Sequence, residues 1–168
     1  MSQSIDYRGI TAAFSKCGLA VGTTSTITAA TATTYAIQGK TYTKTLGSNQ
    51  THPTADATTG AAFVAVQPGY GCALVYGFNA NGDLVAVQGQ PQALTGSTDG
   101  SAAACKFITA PNFGPIPDDF CPVGYVILKV GSATTNPFTP GTTAWNTPNV
   151  GTNTGISVTT LPPRPQVA

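Results

Sequence analysis

Acid–base chemistry near neutral pH would have to start at His52, the one histidine of the chain, which stands in Thr51-His52-Pro53 with Asp56 close behind it. A Ser/His/Asp arrangement needs an imidazole held by a third group and a nucleophile within hydrogen-bond reach. The text around it, residues 47–60, is Gly, Ser, Asn, Gln, Thr and Ala without a nucleophile-elbow sequence. That stretch reads as an exposed polar loop carrying a solvated histidine. Asp118-Asp119 is the only adjacent acidic pair. Glycosidases place two carboxylates about 5–9.5 Å apart across a cleft, whereas neighbours on an extended segment point in different directions. The pair reads as the end of the Pro115–Pro117 turn, capping a short helical turn.

Other constellations reduce to turn chemistry in the same way. Asn79-Ala80-Asn81-Gly82-Asp83 has the start of a calcium loop, but that loop closes on a bidentate Glu and this chain contains no Glu. Gly69-Tyr70-Gly71 is followed by neither Lys-Ser/Thr nor a helix signal, so it is a bend before a strand and not a phosphate cradle. Trp145, Tyr70 and Tyr125 could form a sugar-stacking platform; core or interface packing is the expected use of such rings. Cys17, Cys72, Cys105 and Cys121 contain no C-x-x-C spacing, so neither a zinc knuckle nor a thioredoxin-like motif is supported and buried thiols are the expectation. Disulfides stay open, and spacing does not give a pairing. No catalytic, cofactor-binding or metal-ligating residue is assigned on this reading.

The elements that would position any site are β-type. Charged residues are only 8% of the chain, against roughly 25% in an ordinary soluble domain, so Thr, Ser, Asn and Gln must make the surface. Such a surface suits packing against other protein. Seven scattered cations give no stripe for nucleic-acid phosphates. No apolar run is long enough for a membrane-spanning helix, and Met-Ser-Gln-Ser-Ile-Asp-Tyr-Arg has no charged-then-apolar leader, so synthesis in a cytoplasm without export is expected. Leu, Ile, Val and Phe make up roughly a fifth of the residues, a thin core. Stability gained from neighbouring subunits is therefore expected.

Along the chain, residues 1–17 read as an arm or first strand that Phe14 could anchor, and residues 18–34 as strand or extended chain. Thr34–Ile37 and Lys40–Lys44 flank Gln38-Gly39, a tight hairpin that sets Tyr35 opposite Tyr42 and Ile37 opposite Lys40. Ala61–Val66 reads as a short apolar strand. Cys72–Phe78 and Asp83–Gln88 form a second hairpin around Asn79–Gly82, and Val123–Val130 is the best central strand. Residues 131–155 read as a loop with Trp145, Ile156–Leu161 as a last strand, and Leu161-Pro162-Pro163-Arg164-Pro165 as a stiff exit. The sum is one all-β domain over residues 1–168. It should be an antiparallel β-sandwich or barrel-like domain, with 1–17 and 161–168 as extended arms around a core of the 72–88 hairpin and the 123–130 strand.

Several segments resemble a family of small tailed-bacteriophage virion proteins. They are Tyr35-Ala-Ile-Gln-Gly-Lys-Thr-Tyr-Thr-Lys44, Cys121-Pro-Val-Gly-Tyr-Val126, Phe138-Thr-Pro-Gly-Thr-Thr143 and Leu161-Pro-Pro-Arg-Pro165, together with the Asn79–Asp83 hairpin. One departure is Gln38-Gly39 where Asn-Gly or Asp-Gly is expected. The resemblance implies a non-enzymatic capsid decoration or cement protein. It would sit on the exterior of the virion, bind the assembled major capsid protein and form a homo-oligomer, trimer or dimer, after assembly in the bacterial host cytoplasm. Arms would then add strands to a neighbour or lie in a groove between subunits. The rival readings are a tail-fibre or receptor-binding β-domain and a secreted carbohydrate-active domain. The missing leader and the poor acid/base inventory weigh against the latter.

Overall fold

A computed structural model describes residues 9–96, 100–152 and 155–166. Its N-terminal layer contains β1 (Ala12–Ala13), β2 (Leu19–Val21), β3 (Thr26–Ala29), β4 (Thr33–Ile37), β5 (Lys40–Lys44) and β6 (Gly47–Thr51). The six pair antiparallel as β1-β4-β5 and β2-β3-β6. These two small sheets are halves of one bent meander. Ala13↔Tyr35 and Leu19↔Ala29 keep a single register. The amides of Phe14 and Thr31 continue the same ladder between them, donating to the Thr34 and Cys17 carbonyls. The 33–45 hairpin has the expected pairing, Tyr35↔Tyr42 and Ile37↔Lys40. Gln38 (φ 48°) and Gly39 (φ 81°) both take the left-handed turn that matches strand twist. The two tyrosines stack with centroids 5.4 Å apart, an arrangement that contributes about 0.2–1 kcal/mol relative to an Ala pair.

The second layer is built on β7 (Tyr70–Phe78), β8 (Leu84–Gln88), β9 (Gln92–Ala93), β10 (Cys121–Val130), β11 (Val150–Thr152) and β12 (Ile156–Ser157). Its order is β11-β10-β7-β8, with β9 pairing β7 and β12 pairing β10. β7 and β10 are buried along nearly their whole length, as strands sandwiched on both faces must be. Alternation sends Cys72, Leu74, Tyr76, Phe78, Val126, Leu128 and Val130 to the face under the meander, where they meet Leu19, Ile27, Tyr35 and Ile37. Ala73, Val75, Tyr125 and Ile127 point the other way, under Phe107, Phe113, Ile116, Val158 and Leu161. A register shift between Pro122 and Gly124 lets Cys121 and Val123 join the first face although they are odd-numbered, the usual effect of a bulge. Among the described residues there is no helix, and the fold is all-β and sandwich-like.

Several local expectations give way. Residues 47–51 are strand, because Thr26 and Ile27 supply the ladder partners for Thr51 and Gln50 that polar text alone does not announce. Ala61–Val66 is not a strand. It makes only single bridges, Ala55↔Ala62 and Val66↔Phe138, and is held by the burial of Phe63 and Val66. The last strand shortens to Ile156–Ser157, and the 131–155 loop contains β11.

The described parts of the expected arms lie on the domain. Ala13 pairs with Tyr35 on one side and donates to the Thr159 carbonyl on the other. Gln166 N–H donates to the Tyr125 hydroxyl at 3.2 Å. Phe14 is no anchor, being 57% exposed while Ala13 and Cys17 are buried. Residues 1–8 and 167–168 lie outside the described residues.

Candidate functional site

His52 is not solvated. It closes β6 with 1% of its surface exposed. Phe63, Tyr76 and Trp145 surround it at centroid distances of 5.8, 5.3 and 5.6 Å. Nδ1 faces the Pro53 carbonyl and Nε2 lies 2.6 Å from the Tyr76 hydroxyl. A carbonyl can only accept, so Nδ1 carries the proton and donates to Pro53, while Nε2 accepts from Tyr76. Burial lowers the imidazole pKa to about 4, partly offset by the Pro53 carbonyl, and raises the Tyr76 phenol well above its ordinary value. Both groups are therefore neutral at pH 7 and both ring nitrogens are occupied. Gly141 (φ +80°) passes so close that an added Cβ would lie 3.2 Å from Nδ1. No Ser, Thr or Cys side chain hydrogen-bonds this imidazole among the described residues.

Asp56 serves a different junction. Its Oδ1 accepts the amides of Thr58 and Thr59, and its Oδ2 accepts the Gln88 amide at 2.7 Å. This side chain staples the 56–64 segment along β8, where Ala57 N–H also donates to the Ala86 carbonyl. His52 and Asp56 are thus two separate structural fasteners. Sequence reasoning missed the histidine's role because its cage comes from residues 63, 76 and 145, and no local pattern links them.

The remaining candidates fall where turn chemistry puts them. Asn79 Oδ1 accepts the amides of Asn81 and Asp83. Asp118 and Asp119 are exposed in a turn closed by Phe120 N–H donating to the Pro117 carbonyl. Gly69 takes φ +80° ahead of β7. Trp145, Tyr70 and Tyr125 form no platform. Trp145 packs on Phe138 at 5.0 Å and donates to the Thr26 carbonyl, Tyr125 meets Phe113, and Tyr70 stays 42% exposed. All four cysteines are buried and none is in a disulfide, and burial pushes Cys72 up to about 12 and Cys121 up to about 11. Among the described residues no three His, Cys, Asp or Glu side chains are grouped to hold a metal, and no helix is long and apolar enough to cross a membrane.

The surface offers more than the interior. A cleft of about 340 Å³ runs between Thr11-Ala12, the 116–122 turn and Thr159–Leu161. A wider groove of about 590 Å³ follows Pro162–Gln166 beside Ala110. Three of the sheet edges, β5, β6 and β8, are guarded. β5 carries Lys40 and Lys44 on the face of Tyr42, and β6 is irregular, with Gly47 at φ 91° and Asn49 at φ 53°. Along β8, Val64 and Gln88 exchange two hydrogen bonds of 2.8 and 2.9 Å. Lysines, bulges and covering loops are devices that keep edges from pairing with another chain. Compared with protein-family models, curated proteins and solved structures, the chain matches none.

Proposed function

We propose that this chain is a non-enzymatic structural protein of a tailed-bacteriophage particle, one that binds the assembled major capsid protein shell from outside and stabilises it. The observation that carries the reading is the use made of His52. The one side chain suited to general-base work near neutrality holds β6, β7 and the 138–145 segment together, sealed from solvent. The surface supports it as well. It is low in charge, its β5, β6 and β8 edges are guarded, and it leaves Ile10, Phe14, Val64, Tyr70 and Ile108 exposed as apolar contact points. One weak contact repeated over a lattice gives avidity far above that of a single site. The resemblance of the 35–44, 121–126, 138–143 and 161–165 segments to virion proteins points the same way.

The test is co-sedimentation of the full chain with capsids that lack it, with bound copies counted. Saturable binding at a fixed ratio to shell subunits is expected. Binding at a handful of copies per particle would move the chain to the tail, as a fibre or receptor-binding domain, and binding at none would remove it from the particle. The full chain is required, since residues 161–166 cover the Tyr125 face and their removal would disturb the domain itself.

A further inference from the structure

The segment leading out of β1 presents an unusual row. Exposure alternates along it: Ala13 and Cys17 are buried, Phe14 and Lys16 are exposed, and Ala12 lies between these extremes. Ala12 lines the 340 Å³ cleft, whose walls include the apolar Ile116, Phe120, Pro122 and Leu161 beside threonines and the exposed Asp118. Phe14 and Lys16 follow Ala12 by two and four residues, past the end of β1 at a bend, and both reach solvent. This short stretch and the cleft beside Ala12 hold a large apolar knob, a hole with apolar and polar walls, a cation and an anion. Ile10 and Phe14, at 68% and 57% exposed, are two of the five exposed large apolar side chains among the described residues. Large apolar side chains left exposed on one short segment are candidate contact points.

We propose that this patch is a twofold interface between two copies of the chain. Phe14 of each copy enters the cleft of the other, and Lys16 of each meets Asp118 of the other. A twofold contact requires a patch complementary to itself, and both the shape and the charge of this one are paired within it. The aromatic knob supplies buried area, and the reciprocal ion pairs set the orientation. The net charge of +1 gives no repulsion against self-association. This pairing does not depend on the shell-binding reading, since it concerns the chain in free solution.

Sedimentation equilibrium of the full chain tests it. A reversible dimer is expected, with Phe14→Ala weakening association by about tenfold or more, the range of a central aromatic contact. Near-ultraviolet circular dichroism should be unchanged in that variant, because the ring is largely in solvent in the single chain. Lys16→Asp should weaken the dimer, and the double variant Lys16→Asp with Asp118→Lys should restore it. A chain that remains monomeric at every concentration, a trimer, a dimer indifferent to Phe14→Ala, or a double swap no tighter than Lys16→Asp alone would each overturn the proposal.

Discussion

The two faces of the β7–β10 pair are covered in opposite ways. Over Leu74, Tyr76 and Leu128 lies the meander, whose backbone groups satisfy one another in continuous ladders. Over Val75, Tyr125 and Ile127 lie the 105–120 and 156–166 segments, which are mostly irregular. Their polar groups find partners singly, as when Thr58 donates to the Pro115 carbonyl and Gln166 to the Tyr125 hydroxyl. Both covers exclude water. They differ in cooperativity, since a ladder is lost as a unit whereas single hydrogen bonds are lost one at a time.

Truncation under the meander should cost most. Leu74→Ala is expected to lower unfolding stability by about 2–5 kcal/mol, the usual penalty for a fully buried leucine, read from the urea midpoint. Leu161→Ala, half-buried on the other face, should cost clearly less. Equal losses would erase the distinction between the faces.

Acid should loosen the meander side next. His52 has a folded pKa of about 4 against an ordinary 6.5, so below pH 6.5 the unfolded chain takes up a proton that the folded chain refuses. Stability is full above pH 6.5, falls as the pH drops towards 4, and levels off beyond it. The total is about 3 kcal/mol. Urea midpoints across that range should show this fall in the native chain and lack it in His52→Gln. An equal slope in both would assign the acid sensitivity to carboxylates.

The smallest effect concerns the irregular cover. Tyr125→Phe removes the hydroxyl that accepts Gln166 N–H, and should cost about 0.5–1.5 kcal/mol. Amide exchange should quicken at Gln166 before it changes in β10. Uniform quickening would show that the C-terminal segment unfolds together with the sheet.

Local patterns were enough for the Gln38-Gly39 and Asn79–Gly82 hairpins, the buried β7 and β10, the all-β class and the buried thiols. Each of these depends on residues close in sequence or on composition. The patterns did not reveal β6, whose polar residues become a strand only because β3 offers partners. Nor did they show that Ala61–Val66 stays irregular, since its burial comes from Phe63 and Val66 reaching a core built elsewhere. The His52 cage and the cleft beside Ala12 are further from local reach, each being assembled from segments that meet only after folding.

By itself, then, the sequence determined where the chain turns and which strands are apolar on both sides, because φ preference and side-chain alternation act over a few residues. That the single histidine is a sealed fastener, and that Ala12 walls a cleft with residues 116–122 and 159–161, came from the folded structure alone. Burial and proximity are properties of distant segments brought together, and no short stretch of chain encodes them alone.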